Sequence, residues 1–173
     1  MELHHYITSV DKFKDSAIWA FHIAVPLEIA ECLNKPNRRV LCSINNTPPF
    51  HAALMHDGQG GYFINLNKQL MKKNHLREQD EIRVTLEKDN SKYGIFTPDF
   101  FEELCYQDPE ASDFFHALTI GKQRSLLHII GKLKSEQKQL EKALIVFDYL
   151  KSSNGELDYR ALNEAFKNSR FKT

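Results

Sequence analysis

The chain is poor in cysteine and has no excess of glycine or proline. Its 173 residues include three cysteines, Cys32, Cys42 and Cys105, an odd number that contains no C-x-x-C pair. This pattern argues against a disulfide framework and indicates free thiols in a reducing compartment. Seven glycines and six prolines are too few for a low-complexity or collagen-like chain. The composition therefore predicts an ordinary globular protein.

A net charge and a long apolar run are also missing. Lysine plus arginine and aspartate plus glutamate both number 23, so no overall field concentrates nucleic acid or anionic lipid at the surface. No stretch of about 18 apolar residues is present, as a membrane-spanning helix requires. Residues 1–5 lack the basic and apolar regions of a signal peptide. We therefore predict a cytoplasmic protein with no membrane span, and the balanced charge disfavours nucleic acid as a partner.

The organisation of the chain changes near residue 90. Before it, apolar and polar residues alternate and turn signals recur; after it, apolar residues follow helical spacing. This predicts an α+β protein with a small β-barrel at residues 1–90 and an α-helical segment at residues 91–173 that ends in an extra helix.

The alternating half predicts six strands, enough to close a small barrel. Within the second strand, Trp19 shares a face with Phe21, and His22 lies on the opposite face. Asn45-Asn46 and Gly58 to Gly61 are typical of tight turns. The six predicted strands cover residues 3–10, 17–25, 39–44, 50–56, 62–66 and 81–87.

Helical patterns predict two short helices in the barrel half, Leu27 to Leu33 and Asn67 to His75. In the second half, Thr97-Pro98 and Asp108-Pro109 each pair a polar N-cap residue with proline at the first helical position. Thr119 and Ser135 are expected to open two further helices. Asn154-Gly155 is expected to end the fourth of these helices, before a final helix at residues 156–167.

Three segments resemble one family in order and spacing. They are Trp19 with Phe21 to Pro26, then Ile44-Asn45-Asn46-Thr47-Pro48-Pro49-Phe50, then Gly60-Gly61-Tyr62-Phe63-Ile64-Asn65-Leu66-Asn67-Lys68. Together they resemble the barrel of the bacterial YdeI/OmpD-associated proteins, and Thr97 to Phe100 resembles the helical segment that follows it. The resemblance implies a closed six-stranded barrel of Greek-key type plus helices. It also implies a bacteriocin-protection or stress-related role, without an accepted activity or set of catalytic residues.

Two departures from that family concern a turn and a helix. Members often have a Gly-Leu-x-x-Gly-Asp pattern before the last strand, whereas this chain has His75-Leu76-Arg77-Glu78-Gln79-Asp80. We therefore expect its turn to be built differently. The basic, arginine-containing stretch on the family's last helix is replaced by Ser135 to Lys142, which puts any anion site there in doubt.

Five polar residues are predicted to bind a ligand at the barrel mouth, with Trp19 nearby. Barrel mouths collect ligands, and we expect a small molecule or a peptide there, partly covered by the C-terminal helices. The plainer interpretation assigns turn formation, core packing and solvent contact to the same residues. The predicted ligand-binding residues are His22, Arg39, Asn45, His51 and Lys68.

Other functions remain open on the sequence. The eight histidines show no metal-ligand spacing, so we predict no metal and no cofactor. A binding module is favoured over an enzyme; the enzyme alternative uses His22 or His51 as an acid/base, with Lys68 or Arg39 holding an anionic substrate. The strand, lysine-bearing helix and strand at residues 62–87 are similar to swapped-hairpin transcription factors, which gives a DNA-binding alternative. Pairing of the C-terminal helix with a second copy, as a homodimer, also stays open.

Overall fold

The computed structural model describes residues 2–13 and 21–169. The chain divides into two compact units, residues 1–94 and residues 95–173. Trp19 and the predicted strand residues 17–20 lie outside the described residues.

The described part of the first unit is built from seven antiparallel strands and two short helices. Along β3 and β7, alternate residues are buried, as the period-2 pattern predicted. The strands are β1 His4–Lys12, β2 Phe21–Val25, β3 Arg39–Ile44, β4 Phe50–Ala53, β5 Met55–His56, β6 Tyr62–Leu66 and β7 Glu81–Lys88. The helices are α1 Leu27–Leu33 and α2 Lys68–Lys73.

The sheet corrects the predicted closed barrel of six strands. Its strand order is β4-β3-β7-β1-β2-β6-β5. The strand expected at residues 50–56 changes partner at Leu54: β4 pairs with β3, whereas β5 pairs with β6. At the change, the Leu54 amide donates to the Arg38 carbonyl at 2.8 Å. The barrel thus has seven strands and is not fully closed, and its two edge strands are joined through Leu54.

Apolar side chains fill the inside of this barrel. Ile23, Cys42 and Leu86 are fully buried in one core cluster. At the end where β2 stops and β3 begins, α1 adds Leu33 to that cluster; at the opposite end, α2 adds Met71. Helices α1 and α2 thus each contribute a side chain to the core from opposite ends of the barrel.

Five helices make up the described part of the second unit, and fully buried Phe101, Phe115 and Phe147 pack together in its core. Asp108 caps α4 as predicted, by accepting from the Ala111 amide. Thr119 and Ser135 directly precede α5 and α6, as predicted. Two predicted starts differ: α3 begins three residues after Pro98, and the last helix begins at Tyr159 rather than residue 156. The helices are α3 Phe101–Gln107, α4 Pro109–Ala117, α5 Ile120–Gly131, α6 Glu136–Ser152 and α7 Tyr159–Asn168. Within the described residues, no helix combines the length and low polarity that crossing a bilayer requires.

Candidate functional site

The five predicted ligand-binding residues occupy different parts of the first unit. Arg39 and His51 lie on the same outer face of the β3–β4 pair, since Leu41 is the direct partner of His51. His22 lies on the outer face of β2. Asn45 is in the turn after β3, and Lys68 is exposed in the first turn of α2. The structure brings Arg39 and His51 together and leaves the other three apart.

His22 belongs to a row of polar residues on three neighbouring strands. Strand register places it directly opposite Asp11 of β1 on one side and Asn65 of β6 on the other. Directly opposed residues share a face of the sheet, so the three side chains lie side by side. We call Asp11, His22 and Asn65 the polar row.

Aromatic rings surround the middle of the polar row. Phe13 stacks on the His22 ring with 3.9 Å between centroids, and Phe63 meets the same ring edge-on at 5.7 Å. Inside this packing, Nδ1 of His22 and Oδ1 of Asn65 are buried and have no hydrogen-bond partner. Native proteins satisfy the large majority of buried polar atoms, so a neighbouring pair without partners marks an incomplete site.

A cleft of about 600 Å³ opens beside Asp11 and His22 at the α2 end of the barrel. The His22 ring and Phe13 form one wall, and the turn before β7 contributes Gln79. Gln79 Nε2 donates to Asp11 Oδ1 at 3.4 Å. We call this space the His22 cleft; its lining residues are Asp11, Lys12, Phe13, His22, Glu78 and Gln79.

The surroundings of His22 favour its neutral form. Burial lowers the pKa of the imidazole, and the Asp11 carboxylate offsets part of this effect by raising it. A neutral imidazole has one donor and one acceptor nitrogen. His22 can therefore accept or donate one hydrogen bond toward a ligand without carrying a charge into the cleft.

Sequence reasoning identified His22 but missed Asp11, Phe13, Asn65 and Gln79. The alternation of β1 places Asp11 on the outer face, which was a usable signal. The register between strands was not readable from one sequence, so nothing indicated that Asp11 and Asn65 flank His22.

A second polar group lies on the outer face at the β3–β4 pair. His51 Nδ1 donates to Asp89 Oδ2 at 2.8 Å, and the Asp89 side chain is 0% exposed while that of His51 is 25% exposed. Asp89 also accepts from the Ser91 hydroxyl at 2.6 Å and from the Ser91 amide at 3.0 Å. A proton on Nδ1 that is donated to Asp89 leaves Nε2 of a neutral imidazole as its acceptor nitrogen.

Asp89 is held in its charged form by these contacts. Burial alone raises the pKa of the carboxyl, but the hydrogen bonds from Ser91 and His51 outweigh burial and lower it. The bond between His51 and Asp89 also fastens the segment that follows β7 to the sheet. A second contact does the same, since the Arg39 guanidinium donates to the Gly94 carbonyl. The group has the geometry of an acid/base pair and also an evident structural role.

The remaining predicted residues have structural contacts or face solvent. Asn45 has φ +49° and, with Asn46 at φ +62°, forms the tight turn that the sequence predicted. Its Oδ1 accepts from the Arg83 amide at 3.0 Å, which fixes that turn to β7. Within the described residues, no group of three or more His, Cys, Asp or Glu side chains is close enough to hold a metal ion.

Comparison with known proteins gives one family match. Residues 8–86 match the model of a domain of unknown function, DUF1905. The matched range begins within β1 and ends within β7, so it takes in the whole barrel core. A search of the curated proteins gives no match. The resemblance to YdeI/OmpD-associated proteins, and the role it implies, stay predictions. Residues 8–86, with their nearly closed barrel, are therefore similar to the DUF1905 domain.

Proposed function

We propose that the barrel unit binds a small molecule and that the His22 cleft is its site. The observation that carries this proposal is the buried, unpartnered Nδ1 of His22 beneath a cleft of about 600 Å³. Sites for small molecules measure roughly 300–1,000 Å³ and combine apolar walls with a few polar groups. A bacteriocin-protection role and a cytoplasmic location rest on the resemblance and the composition alone.

The lining suggests a planar ligand that carries an amino or amide group. The stacked Phe13 and His22 rings offer a flat wall, against which aromatic rings pack with about 0.5–1.5 kcal/mol beyond the burial of area. Asp11 and Glu78 contribute two carboxylates to the lining, against one ammonium group from Lys12. This balance favours a donor or a cation over an anion in this cleft.

A peptide added as an extra strand is less compatible with the sheet. Strand addition needs an exposed edge with unpaired backbone groups. The edges of the described sheet are β4 and β5, which have four and two residues. Neither edge belongs to the His22 cleft, so the small molecule is the better candidate.

Ligand-observed NMR with the full chain tests the proposal. The probes are planar ring compounds that carry an amine and matched compounds that carry a carboxylate in its place. We expect the amines to bind, and His22→Phe, which keeps a ring but removes both nitrogens, to weaken binding about tenfold, as the loss of a buried hydrogen bond predicts.

The matched control is His56→Phe. His56 is an exposed histidine on β5 whose ring contacts Tyr62 at 4.3 Å, outside the cleft. Loss of binding in both variants, or amine and carboxylate probes that bind equally, would contradict the assignment of the site to His22 and Asp11.

A second candidate function is acid/base catalysis by His51, favoured by its 2.8 Å bond to the buried Asp89. A carboxylate that orients Nδ1 leaves Nε2 ready to take a proton or attack an electrophile. Hydrolysis of p-nitrophenyl acetate probes this reactivity directly. We expect His51→Gln to remove most of the activity while His22→Gln retains it; equal rates in the two variants would assign His51 to structure alone.

A further inference from the structure

The four buried polar atoms without partners in the described residues lie in two places. His22 and Asn65 account for two of them, on the outside of the barrel. The other two are Nε2 of His4 and the hydroxyl of Tyr6. His4 and Tyr6 are two residues apart on β1 and therefore point to the same side, toward the barrel interior at the α1 end.

His4 lines a second cleft, of about 230 Å³, at that end of the barrel. The cleft has room for several water-sized groups, at about 30 Å³ each. It lies between the start of β1, the end of α1 and the end of β7. We call it the Lys88 cleft; the residues that bear on its chemistry are Glu2, His4, Lys35, Lys88 and Asn90.

Lys88 contributes a positive charge whose direct hydrogen-bond partners are all neutral. Its Nζ donates to the carbonyls of Leu33, at 2.8 Å, and Asn37, and to the Asn37 side chain at 3.2 Å. All these acceptors are neutral, and no ion pair of Lys88 occurs within residues 2–13 and 21–169. Burial lowers the pKa of the ammonium group, and the field of Asp89 offsets this only in part.

Two further groups face the same space with donors to offer. Lys35 is exposed at the end of α1 and brings a second ammonium group, and Asn90 brings a side-chain amide. Two like charges around one small cleft repel each other unless an anion lies between them. Glu2 is the one acidic residue among the described lining residues.

We propose that the Lys88 cleft binds a small anion, either inorganic phosphate or the phosphate or carboxylate group of a small metabolite. Lys88 supplies the field from below, while Lys35 and Asn90 donate from the rim. Nε2 of His4 is buried without a partner, so the ring turns toward the anion when it binds and gains a partner there. This site is independent of the His22 cleft, which lies at the opposite end of the barrel.

The test is a titration of the full, ¹⁵N-labelled chain with sodium phosphate, and separately with sodium malonate, at constant ionic strength. We expect saturable shifts of the backbone amides of Lys35, Lys88 and Asn90, together with a shift of the His4 ring signals. Saturation by phosphate alone identifies a phosphate site, and saturation by malonate alone identifies a carboxylate site.

Variants separate a specific site from general attraction to lysines. Lys35→Met and His4→Phe should each weaken the anion about tenfold, as the loss of a hydrogen bond to a charged group predicts. Lys72→Met is the control. Lys72 is an exposed lysine of α2, so this substitution removes the same charge at the other end of the barrel. Lys88→Met is not the primary variant, since Lys88 also donates to the carbonyls of Leu33 and Asn37. Shifts that never saturate, or an equal loss in Lys72→Met, would overturn the proposal.

Discussion

His75 and Gln79 have φ angles of +53° and +70°. This left-handed region costs a residue with a Cβ roughly 1–2 kcal/mol. They stand at the two positions that the Gly-Leu-x-x-Gly-Asp pattern of the resembling proteins fills with glycine. Both residues therefore adopt the left-handed conformation that glycine adopts most readily, and the chain accepts the strain.

Replacing each residue by glycine should therefore stabilise the fold. We expect His75→Gly and Gln79→Gly each to raise the free energy of unfolding by about 0.5–1 kcal/mol, because relief of strain outweighs the entropy that glycine loses on folding. Urea denaturation measures the free energy of unfolding of each variant. Gln79 also lines the His22 cleft, so Gln79→Gly should in addition weaken amine binding there, while His75→Gly should not. A loss of stability in both variants would show that the two side chains contribute more than their strain costs.

The lowered pKa of His22 gives a pH dependence with a defined sign. Burial is the main cause, so the folded protein binds a proton at His22 less readily than the unfolded chain, whose imidazole has a pKa of about 6.5. The stability that depends on neutral His22 is complete above about pH 6.5 and is lost as the pH falls through the lower folded pKa.

His22→Phe should remove this dependence. We expect the stability of the variant, relative to that of the wild type, to rise as the pH is lowered from about 8 to about 5, because a histidine titrates in this range. Urea midpoints at each pH measure the difference. His56→Phe serves as the reference substitution, and groups common to both proteins cancel in the difference. A difference that stays constant with pH would mean that His22 has the same pKa in both states.

At this scale the sequence showed the two faces of a strand but not which residues of different strands meet. The alternation of β2 placed His22 on the face opposite Phe21, and the structure has that face on the outside of the barrel. His51 was predicted to bind a ligand, but its bond to Asp89 joins positions 38 residues apart. That contact depends on the path of the chain after β7, and no local pattern encodes it.

Among the elements, the segment at residues 50–56 has the largest effect on the architecture. Its alternation predicts one strand, and local pattern cannot show that the strand exchanges β3 for β6 at Leu54. Leu54 is 1% exposed and belongs to the barrel core. The side chain thus packs inside the barrel at the point where the two edge strands join.

Leu54→Ala should destabilise the barrel by about 2–5 kcal/mol, the range for deleting a buried leucine side chain. Leu54→Met, which conserves volume, should cost less than about 1.5 kcal/mol. Hydrogen exchange of the β5 and β6 amides checks the mechanism. These amides should exchange faster in the alanine variant. Unchanged protection would show that the Leu54 side chain does not hold the two edge strands together.

Element boundaries were predictable where a cap side chain decides them. Asp108 caps α4 at the predicted position by accepting from Ala111 at 3.1 Å. Thr97-Pro98 carries a similar signal, but Pro98 opens a turn, closed by the Phe101 amide at 3.0 Å from the Pro98 carbonyl, and α3 follows that turn. Fully buried Phe101 shows that packing, rather than the local signal, decides this start.

At the scale of the whole molecule, each unit has its own core. All members of the barrel core cluster lie within residues 1–94, and the helices after residue 95 bury the cluster of Phe101, Phe115 and Phe147. A unit with its own core can fold alone. We therefore expect a fragment of residues 1–94 to give a dispersed ¹H–¹⁵N spectrum and a cooperative thermal transition.

A second fragment, ending at Lys88, tests what the segment after β7 contributes. It removes Asp89, the partner of His51, and Gly94, the acceptor of the Arg39 guanidinium. Because hydrogen bonds to charged groups contribute about 1.5–3 kcal/mol each, the shorter fragment should unfold at a markedly lower urea concentration than the longer one. Equal midpoints would assign the His51–Asp89 pair to function rather than to holding the barrel, and would strengthen acid/base chemistry as the role of His51. A collapsed spectrum of the longer fragment would instead show that the barrel depends on the helices.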